Sequence, residues 1–284
     1  MVSRIVLVCA AGAAVLAATG CGGSPDAGGP LVAAFHPLAY AVRQVAPAGS
    51  EVVDLTPPGA EPHDLELSAR DVERLRDAEL VVYAGGGFQP AVEDAVRSRD
   101  TRSLDVLGEV ELLDGDRSEP DPHVWLDPLR YEQIARSIAA ALGHPKAADA
   151  FVGRLEELDR ELAQGLARCE RREIVTSHAA FAYLADRYDL EQEPLVGVSP
   201  EAEPDARDIE GLVDEVRRTG ATTVFFEPLV SSRLAETVAR EAGVSTAVLD
   251  PLEGLTPEHE DGGADYFSVM RQNLAALRAA LGCT

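Results

Sequence analysis

Three histidines of this chain lie in sequence surroundings that suit metal binding. His63 lies in the segment GAEPHDLE, His123 in DPHVWLDP and His178 in SHAAFAYL, while a fourth candidate, Asp250, lies in VLDPLEG. Three imidazole nitrogens and one carboxylate oxygen form a donor set that suits four-coordinate Zn²⁺. Taken singly, each histidine also fits a helix cap or a packed side chain. The residue types alone therefore leave both interpretations open.

Carboxylates close to these histidines extend the pattern. Asp64 and Asp127 are expected to orient imidazole N–H groups from behind the ligands. Glu61 is an alternative or additional ligand that ranks below Asp250, and Glu227 is expected to be a structural or lobe-interface carboxylate. His259 lies among acidic residues, where a weak second metal site is an alternative to a solvated acidic loop.

An alternation of strands and helices is expected to position the candidate residues. Short apolar runs predict strands at 31–35, 51–55, 80–83, 174–177, 222–226 and 244–249, and helical periodicity predicts helices at 68–78, 90–98, 179–188, 205–219 and 231–242. This order is typical of parallel sheets in the α/β class. His63, His178 and Asp250 then follow the carboxyl ends of strands, where open α/β sheets bind ligands.

Two further helices are predicted in the middle of the chain. Asp127 and Pro128 suit the start of a helix that runs to about residue 142. A longer helix over 146–168 carries an apolar stripe: Phe151, Leu155, Leu158, Leu162 and Leu166. It divides the chain into an N-terminal lobe at 31–143, a linking helix at 144–170 and a C-terminal lobe at 171–284. The predicted fold is α/β, with two lobes of parallel sheets flanked by helices and joined by one long rigid helix.

The charge balance excludes one class of partner. The chain has 25 Lys plus Arg against 49 Asp plus Glu, which gives a formal net charge of −24. Nucleic acid binding needs a basic face that neutralises phosphates, and anionic membrane surfaces are disfavoured for the same reason. A cation is the natural partner of such a chain.

The amino terminus has the pattern of an export signal. Residues 1–20 contain one charge, Arg4, and an apolar run that is short for a bilayer span. Small residues before Cys21 resemble the lipobox of bacterial lipoproteins, in which the cysteine is acylated. An ordinary signal peptide or a buried cysteine is the alternative. Residues 21–30 then form a lipidated, Gly-rich flexible tether, and the expected location is extracytoplasmic, anchored to the cell membrane.

Two cysteines remain once the signal and the lipidated residue are set aside. Cys169 and Cys283 would lie in an oxidising compartment, where two cysteines usually pair. We therefore expect a disulfide between them.

The motifs together resemble those of a known family. The segments around the four candidate ligands, with SPEAEP at 199–204 and FFEPLVSSRLA at 225–235, are similar to signature stretches of the metal-binding receptors of bacterial zinc and manganese ABC importers, the cluster A-I periplasmic solute-binding proteins. The resemblance covers nearly the whole mature chain. It implies two α/β lobes joined by a rigid helix, with the metal held by His63 and His123 from one lobe and by His178 and Asp250 from the other.

The third ligand position indicates the metal. In the family that this chain resembles, manganese receptors have a carboxylate at the position of His178. Three nitrogens with one oxygen suit Zn²⁺ better than Mn²⁺, so the resemblance implies a zinc receptor. Two features depart from the family pattern. The loop at 111–122 is short and lacks histidine, and Leu65 and Leu67 replace the Phe and Pro that commonly follow the first histidine motif.

The resemblance implies a receptor rather than an enzyme. The chain is expected to be a monomeric lipoprotein that captures Zn²⁺ as transported ligand and hands it to an ABC permease. A manganese receptor of the same family is one alternative. A zinc-dependent hydrolase with Glu227 as base, or a metal-stabilised surface adhesin, are alternatives from other classes. The chain has no His-Glu-x-x-His and no Gly-x-Ser-x-Gly segment.

Overall fold

The computed structural model describes residues 28–98, 102–113, 120–200 and 205–284. The predicted signal segment, Cys21 and most of the predicted tether lie outside these residues. In the part of the chain that is described, none of the helices combines the length and apolar character needed to cross a membrane.

Two four-stranded parallel sheets form the framework, which confirms the predicted α/β class. The first sheet has the order β2-β1-β3-β4, and the second has the order β6-β5-β7-β8. The strands are β1 (Leu31–Ala33), β2 (Val52–Asp54), β3 (Leu80–Tyr83), β4 (Ser103–Asp105), β5 (Glu173–Thr176), β6 (Glu191–Pro194), β7 (Thr223–Phe226) and β8 (Ser245–Val248). Both sheets share one topology. The chain runs from an inner strand to the edge strand beside it, and then crosses back to the second inner strand and the opposite edge.

Helices follow the strands and flank the sheets. They are α1 (His36–Val45), α2 (Ala69–Asp77), α3 (Pro90–Arg97), α4 (Pro128–Ala141), α5 (Asp149–Leu166), α6 (Ala182–Tyr188), α7 (Ala206–Thr219), α8 (Arg233–Ala242), α9 (Pro257–Asp261) and α10 (Tyr266–Leu281). Local sequence explains several of their starts. Ser68, Asp205 and Asp265 each form a capping box, and Asp127 accepts a hydrogen bond from the Leu129 N–H at the start of α4.

Two strands and three helices are absent from the sequence-based prediction. Strands β4 and β6 are edge strands built from polar, partly exposed residues, so they lack the apolar run by which a buried strand is recognised. Helix α1 begins at His36, directly after a strand that is shorter than predicted. Helices α9 and α10 complete the carboxyl-terminal part.

Helix α5 lies between the two halves and buries the predicted stripe. Its residues Phe151, Leu155, Leu158, Leu162 and Leu166 are at most 2% exposed, and the helix packs against α4 and α10. The main apolar core continues from the first sheet through this helix to residues of the second half. The lobe boundaries at 143 and 171 stay a prediction.

The disulfide between Cys169 and Cys283 is present, as predicted. It joins the chain just after α5 to the chain just after α10, and backbone hydrogen bonds reinforce this junction: Thr284 N–H to Arg168 O and Glu170 N–H to Leu281 O, each 3.0 Å. Because Cys169 precedes β5, the bond lies at the amino-terminal edge of the second sheet.

Removal of this disulfide is expected to destabilise the fold. It closes a loop with a sequence separation of 114 residues, so the Cys169→Ser/Cys283→Ser variant should lose about 2–5 kcal/mol of unfolding free energy. Denaturant titration of the metal-free protein measures this loss. Metal affinity should stay unchanged, because the histidines lie at the opposite, carboxyl edge of the sheets. An unchanged unfolding midpoint would contradict the expectation.

Candidate metal centre

Four side chains converge at the carboxyl edges of the two sheets. One ligand atom each from His63, His123, His178 and Glu253 lies within 4.8 Å of every other, and among the described residues this is the group of three or more such side chains that could hold a metal ion. His63 and His123 come from the half that contains the first sheet. His178 and Glu253 follow strands β5 and β8 of the second sheet.

The two histidines of the first half are set in short, hydrogen-bonded turns. His63 lies in a single 3-10 turn, where Glu61 Oε1 accepts its backbone N–H at 3.2 Å. Gln89 Nε2 donates to the Pro62 carbonyl at 3.2 Å and so ties this turn to the start of α3. His123 is anchored by Asp121, whose Oδ1 lies 3.0 Å from the His123 backbone N. The backbone of each histidine is therefore held by a carboxylate two residues earlier in the sequence.

His178 is fixed directly after strand β5. Its carbonyl accepts hydrogen bonds from Thr176 Oγ1 at 2.7 Å and from Gln192 Nε2 at 3.0 Å. Gln192 belongs to the polar edge strand β6, which explains why a strand without an apolar run is retained beside β5.

The segment after β8 presents Glu253 through a tight turn. Asp250 Oδ1 accepts the Leu252 N–H at 2.7 Å, a bond that Asp-Pro sequences commonly make to their own backbone. Leu252 has a φ of 60° and is fully buried. A branched residue in the left-handed region costs of order 1 kcal/mol, and such strain is typical of functional turns. The turn directs the next side chain, Glu253, towards the histidines.

Contacts from both halves hold this turn in place. Trp125 Nε1 donates to the Pro251 carbonyl at 2.8 Å, and the Asn273 side chain bonds both the N–H and the carbonyl of Asp250, at 2.9 and 2.7 Å. The Gly59 N–H donates to Leu255 O at 2.9 Å. The Glu253 segment is thus attached to the half that supplies His63 and His123.

The distances fit a four-coordinate ion. Glu253 Oε1 lies 2.7 Å from His123 Nε2, 3.3 Å from His63 Nε2 and 3.4 Å from His178 Nε2. His123 Nε2 and His178 Nε2 are 3.4 Å apart. A tetrahedral ion with bonds of about 2.0–2.1 Å separates its ligand atoms by roughly 3.3 Å. Four of the six separations among these atoms, 2.7–3.4 Å, are therefore close to the edge of such a tetrahedron.

Two carboxylates, of Asp121 and the buried Glu227, orient the histidine rings. Asp121 Oδ1 lies 2.6 Å from His123 Nδ1, and Glu227 Oε1 lies 2.6 Å from His178 Nδ1. A carboxylate at Nδ1 fixes the tautomer that leaves Nε2 free for a metal and raises its basicity. Ser177 also hydrogen-bonds Glu227. Glu227 is thus a structural carboxylate whose partner is His178.

The pKa values reflect this concentration of carboxylates. Burial alone would lower the pKa of His178, but hydrogen bonds to Glu227 and Glu253 outweigh it and raise the pKa to about 10. For His123 burial is likewise outweighed, chiefly by Asp121, and its pKa is raised. Burial would raise the pKa of Glu253, yet hydrogen bonds from the three imidazoles hold it well below its usual range. The site therefore favours positive charge beside Glu253.

Aromatic side chains shield the site from water. His123 and His178 are fully buried, and Glu253 is 1% exposed. Phe88 packs edge-on against His63 with a centroid separation of 4.5 Å, and Trp125 lies 5.2 Å from His123. His63 is the most accessible of the four side chains, at 9%. A water-poor wall strengthens electrostatic interactions inside the site.

Three of the four predicted ligands, His63, His123 and His178, lie together in this group, and its fourth member is Glu253. Asp250 is outside the group, and the ligand set itself stays a prediction. Asp250 follows the strand directly, so its short side chain is engaged by the backbone N–H two residues later. The Asp-Pro sequence carried this signal, because aspartate before proline favours a local turn. Glu61 caps the His63 turn and does not belong to the group.

The predicted orienting residues also need correction. Asp127 caps α4 and forms an ion pair with Arg130 at 2.6 Å, so it does not support a histidine. The carboxylates at Nδ1 are instead Asp121 and Glu227. Asp64 follows His63 in the same 3-10 turn, and no bond from its side chain to an imidazole is found in the described residues.

Exchange of the two acidic residues of the turn tests the fourth position. Glu253→Gln should weaken Zn²⁺ binding at this site by on the order of 100-fold or more, because even supporting carboxylates cost 10–100-fold. Asp250→Asn is the matched control, since its amide oxygen still accepts the Leu252 N–H, and its affinity should stay within about threefold. Calorimetric titration measures both. A larger loss in Asp250→Asn would restore Asp250 as ligand.

Truncation of Glu227 tests the support of His178. Glu227→Ala should weaken Zn²⁺ binding about 10–100-fold. Glu227→Gln should weaken it less, because its side-chain carbonyl still accepts the His178 Nδ1 proton. Competition with a chromophoric chelator gives both affinities. Equal losses in the two variants would mean that the charge of Glu227, and not its orienting bond, is what matters.

Comparison with known proteins places the chain among bacterial metal receptors. A family model described as zinc-uptake complex component A, periplasmic, matches residues 31–280. The zinc-binding lipoprotein AdcA of Streptococcus pneumoniae is 35% identical over 274 residues, which span 87% of this chain and 55% of the relative. The high-affinity zinc uptake system protein ZnuA of Bacillus subtilis is 30% identical, with 91% of this chain and 90% of the relative covered.

A solved structure agrees with the same assignment. The Zn(II)-bound ZnuA-like domain of Streptococcus pneumoniae AdcA superposes with a TM-score of 0.76 at 35% identity, over 89% of this chain and 98% of that domain. The chain spans about half the length of AdcA, 55%, and corresponds to this one domain of that protein.

Proposed function

The chain belongs to the ZnuA family of periplasmic zinc-uptake components, and we propose that it captures Zn²⁺ outside the cytoplasmic membrane and delivers it to an ABC permease. The convergence of three imidazoles and one carboxylate at the junction of two sheets is the observation that carries this proposal. His63, His123, His178 and Glu253 are the ligands in this account.

A saturated donor set favours a receptor over an enzyme. Catalytic zinc keeps an open position for water or substrate, whereas four protein ligands fill a tetrahedron. Glu227, the sole residue that the sequence offered as a general base, is engaged with His178 and Ser177. Zn²⁺ bound by these four ligands has no free coordination site, which is expected of a transported ion and not of a catalytic one.

The choice of Zn²⁺ over Mn²⁺ follows from His178. Its Nδ1 contacts Glu227 and its Nε2 lies 3.4 Å from Glu253. A carboxylate in this position would lie between two others and be repelled by both, so the pocket is built for imidazole. Three nitrogens with one oxygen suit Zn²⁺, and Mn²⁺ prefers more oxygen ligands.

Capture and release require the two halves to separate locally. The ligands are buried, and the segments that carry His63 and Glu253 are joined by the bond from Gly59 to Leu255. We infer that Zn²⁺ reaches the site past His63, the most accessible ligand. Docking of the permease then opens these segments, while α5 stays fixed between its neighbours.

Anchoring and location complete the proposal. The pattern that ends at Cys21 supports a lipid anchor on the outer face of the membrane, as in the relative named as a lipoprotein. One chain supplies all four proposed ligands, so a monomer is sufficient to bind the ion.

Zinc titration of the chelator-stripped protein tests the proposal. We expect one tight Zn²⁺ per chain, a loss of about 100-fold or more in His178→Ala, and much weaker Mn²⁺ binding. His144→Ala is the control, because His144 is exposed and outside the site. Tight Mn²⁺ binding with weak Zn²⁺ binding would contradict the choice of metal.

Deletion of the gene should slow growth at limiting zinc, with rescue by the natural chain and not by Glu253→Ala.

A further inference from the structure

A second pair of metal-ligating side chains lies beside the segment that carries Glu253. Asp250 Oδ2 and His259 Nδ1 are 3.6 Å apart. Both atoms are buried and lack a hydrogen-bond partner among the described residues. Asp250 is 5% exposed, so its free oxygen has lost contact with water without a hydrogen bond in return. Such atoms normally have a partner in a folded protein.

Asp250 and His259 both line a cavity that is separate from the four-ligand group. The cavity has a volume of about 430 Å³, and its lining includes Asp250, His259, Thr256, Glu258 and Gln272. None of the residues of the four-ligand group, His63, His123, His178 and Glu253, is in its lining. It is large enough for a hydrated ion.

The backbone around the pair fixes both side chains in place. Asp250 is held by the two bonds to Asn273, and its Oδ1 is engaged by the Leu252 N–H. Its Oδ2 is left without a hydrogen bond among the described residues. His259 lies in the short helix α9, where Thr256 Oγ1 accepts its backbone N–H at 3.2 Å. The pair is therefore ordered before any ligand arrives.

The separation of the two atoms suits coordination better than a direct bond. At 3.6 Å the nitrogen and oxygen are too far apart for a hydrogen bond. With metal–ligand bonds of about 2.0–2.2 Å, the same separation corresponds to an angle of roughly 120° at a shared ion. An imidazole nitrogen with a carboxylate oxygen favours Zn²⁺ and its neighbours over Mg²⁺ or Ca²⁺.

We propose that Asp250 and His259 form a second site for a divalent transition-metal cation, with water completing the coordination. Two protein ligands bind a metal ion more weakly than four, so the ion occupies this site only after the four-ligand group is filled. The acidic side chains of Glu258, Glu260 and Asp261 lie on the same helix and add negative potential around the cavity. The site depends on none of the cage ligands.

Zinc calorimetry of the chelator-stripped protein separates the two sites. The natural chain should show a tight event followed by a second event of lower affinity. His259→Gln should weaken the second event at least tenfold and leave the first unchanged. Asp250→Asn should also weaken the second event at least tenfold, because it removes the carboxylate oxygen Oδ2. His144→Gln, an exposed histidine elsewhere, should retain both events, which excludes general attraction to the acidic surface.

The ring nitrogens of His259 report the site directly. In ¹⁵N spectra of the histidine side chains, the second equivalent of Zn²⁺ should shift His259 Nδ1, and excess Mg²⁺ should not. A single event with no shift at His259 would overturn the proposal, as would a second event that survives in His259→Gln. A second event that persists when Glu253→Gln abolishes the first would support the independence of the two sites.

Discussion

The buried carboxylate of Glu253 is the point at which the two halves of this protein meet. It lies against three imidazoles, two from the half with the first sheet and one from the other. A buried anion is costly unless it is paired, so the halves cannot separate around it without a penalty. This one requirement links the fold to the function, because a divalent cation among the same atoms satisfies all four at once.

The remaining architecture keeps this meeting point in register. Repeated parallel topology brings strand ends to one edge in each half, and α5 packs against α4 of the first half and α10 of the second. Trp125 of the first half and Asn273 of α10 both hydrogen-bond the turn that carries Glu253. The strained Leu252 is tolerated because its side chain is fully buried and its N–H is bonded to Asp250. The conformation of the turn is therefore held by residues that lie far apart in the sequence.

The sequence predicts the features that local chemistry encodes, and it does not reveal residues whose roles depend on tertiary contacts. The flanking segments indicate the three histidines, and the periodicity of apolar residues indicates the α5 stripe. Asp250 follows a predicted strand end and is therefore the predicted fourth ligand, whereas Glu253 joins the group through the turn at Leu252. Asp121 and Glu227 contact His123 and His178 through ring nitrogens, and no spacing in the sequence reveals these contacts. Strand β6 lacks the apolar run by which a strand is recognised, and its Gln192 bonds the His178 carbonyl.

X-ray absorption at the zinc edge, on protein loaded with one equivalent of Zn²⁺, tests whether His63, His123, His178 and Glu253 hold the ion. We expect four ligands at about 2.0–2.1 Å, three of them imidazoles and one a carboxylate oxygen. Glu253→Gln should change the oxygen contribution, and Asp250→Asn should leave the spectrum as it is. Coordination by five or six ligands, most of them oxygen atoms, or a spectrum that loses its carboxylate in Asp250→Asn, would contradict this ligand set.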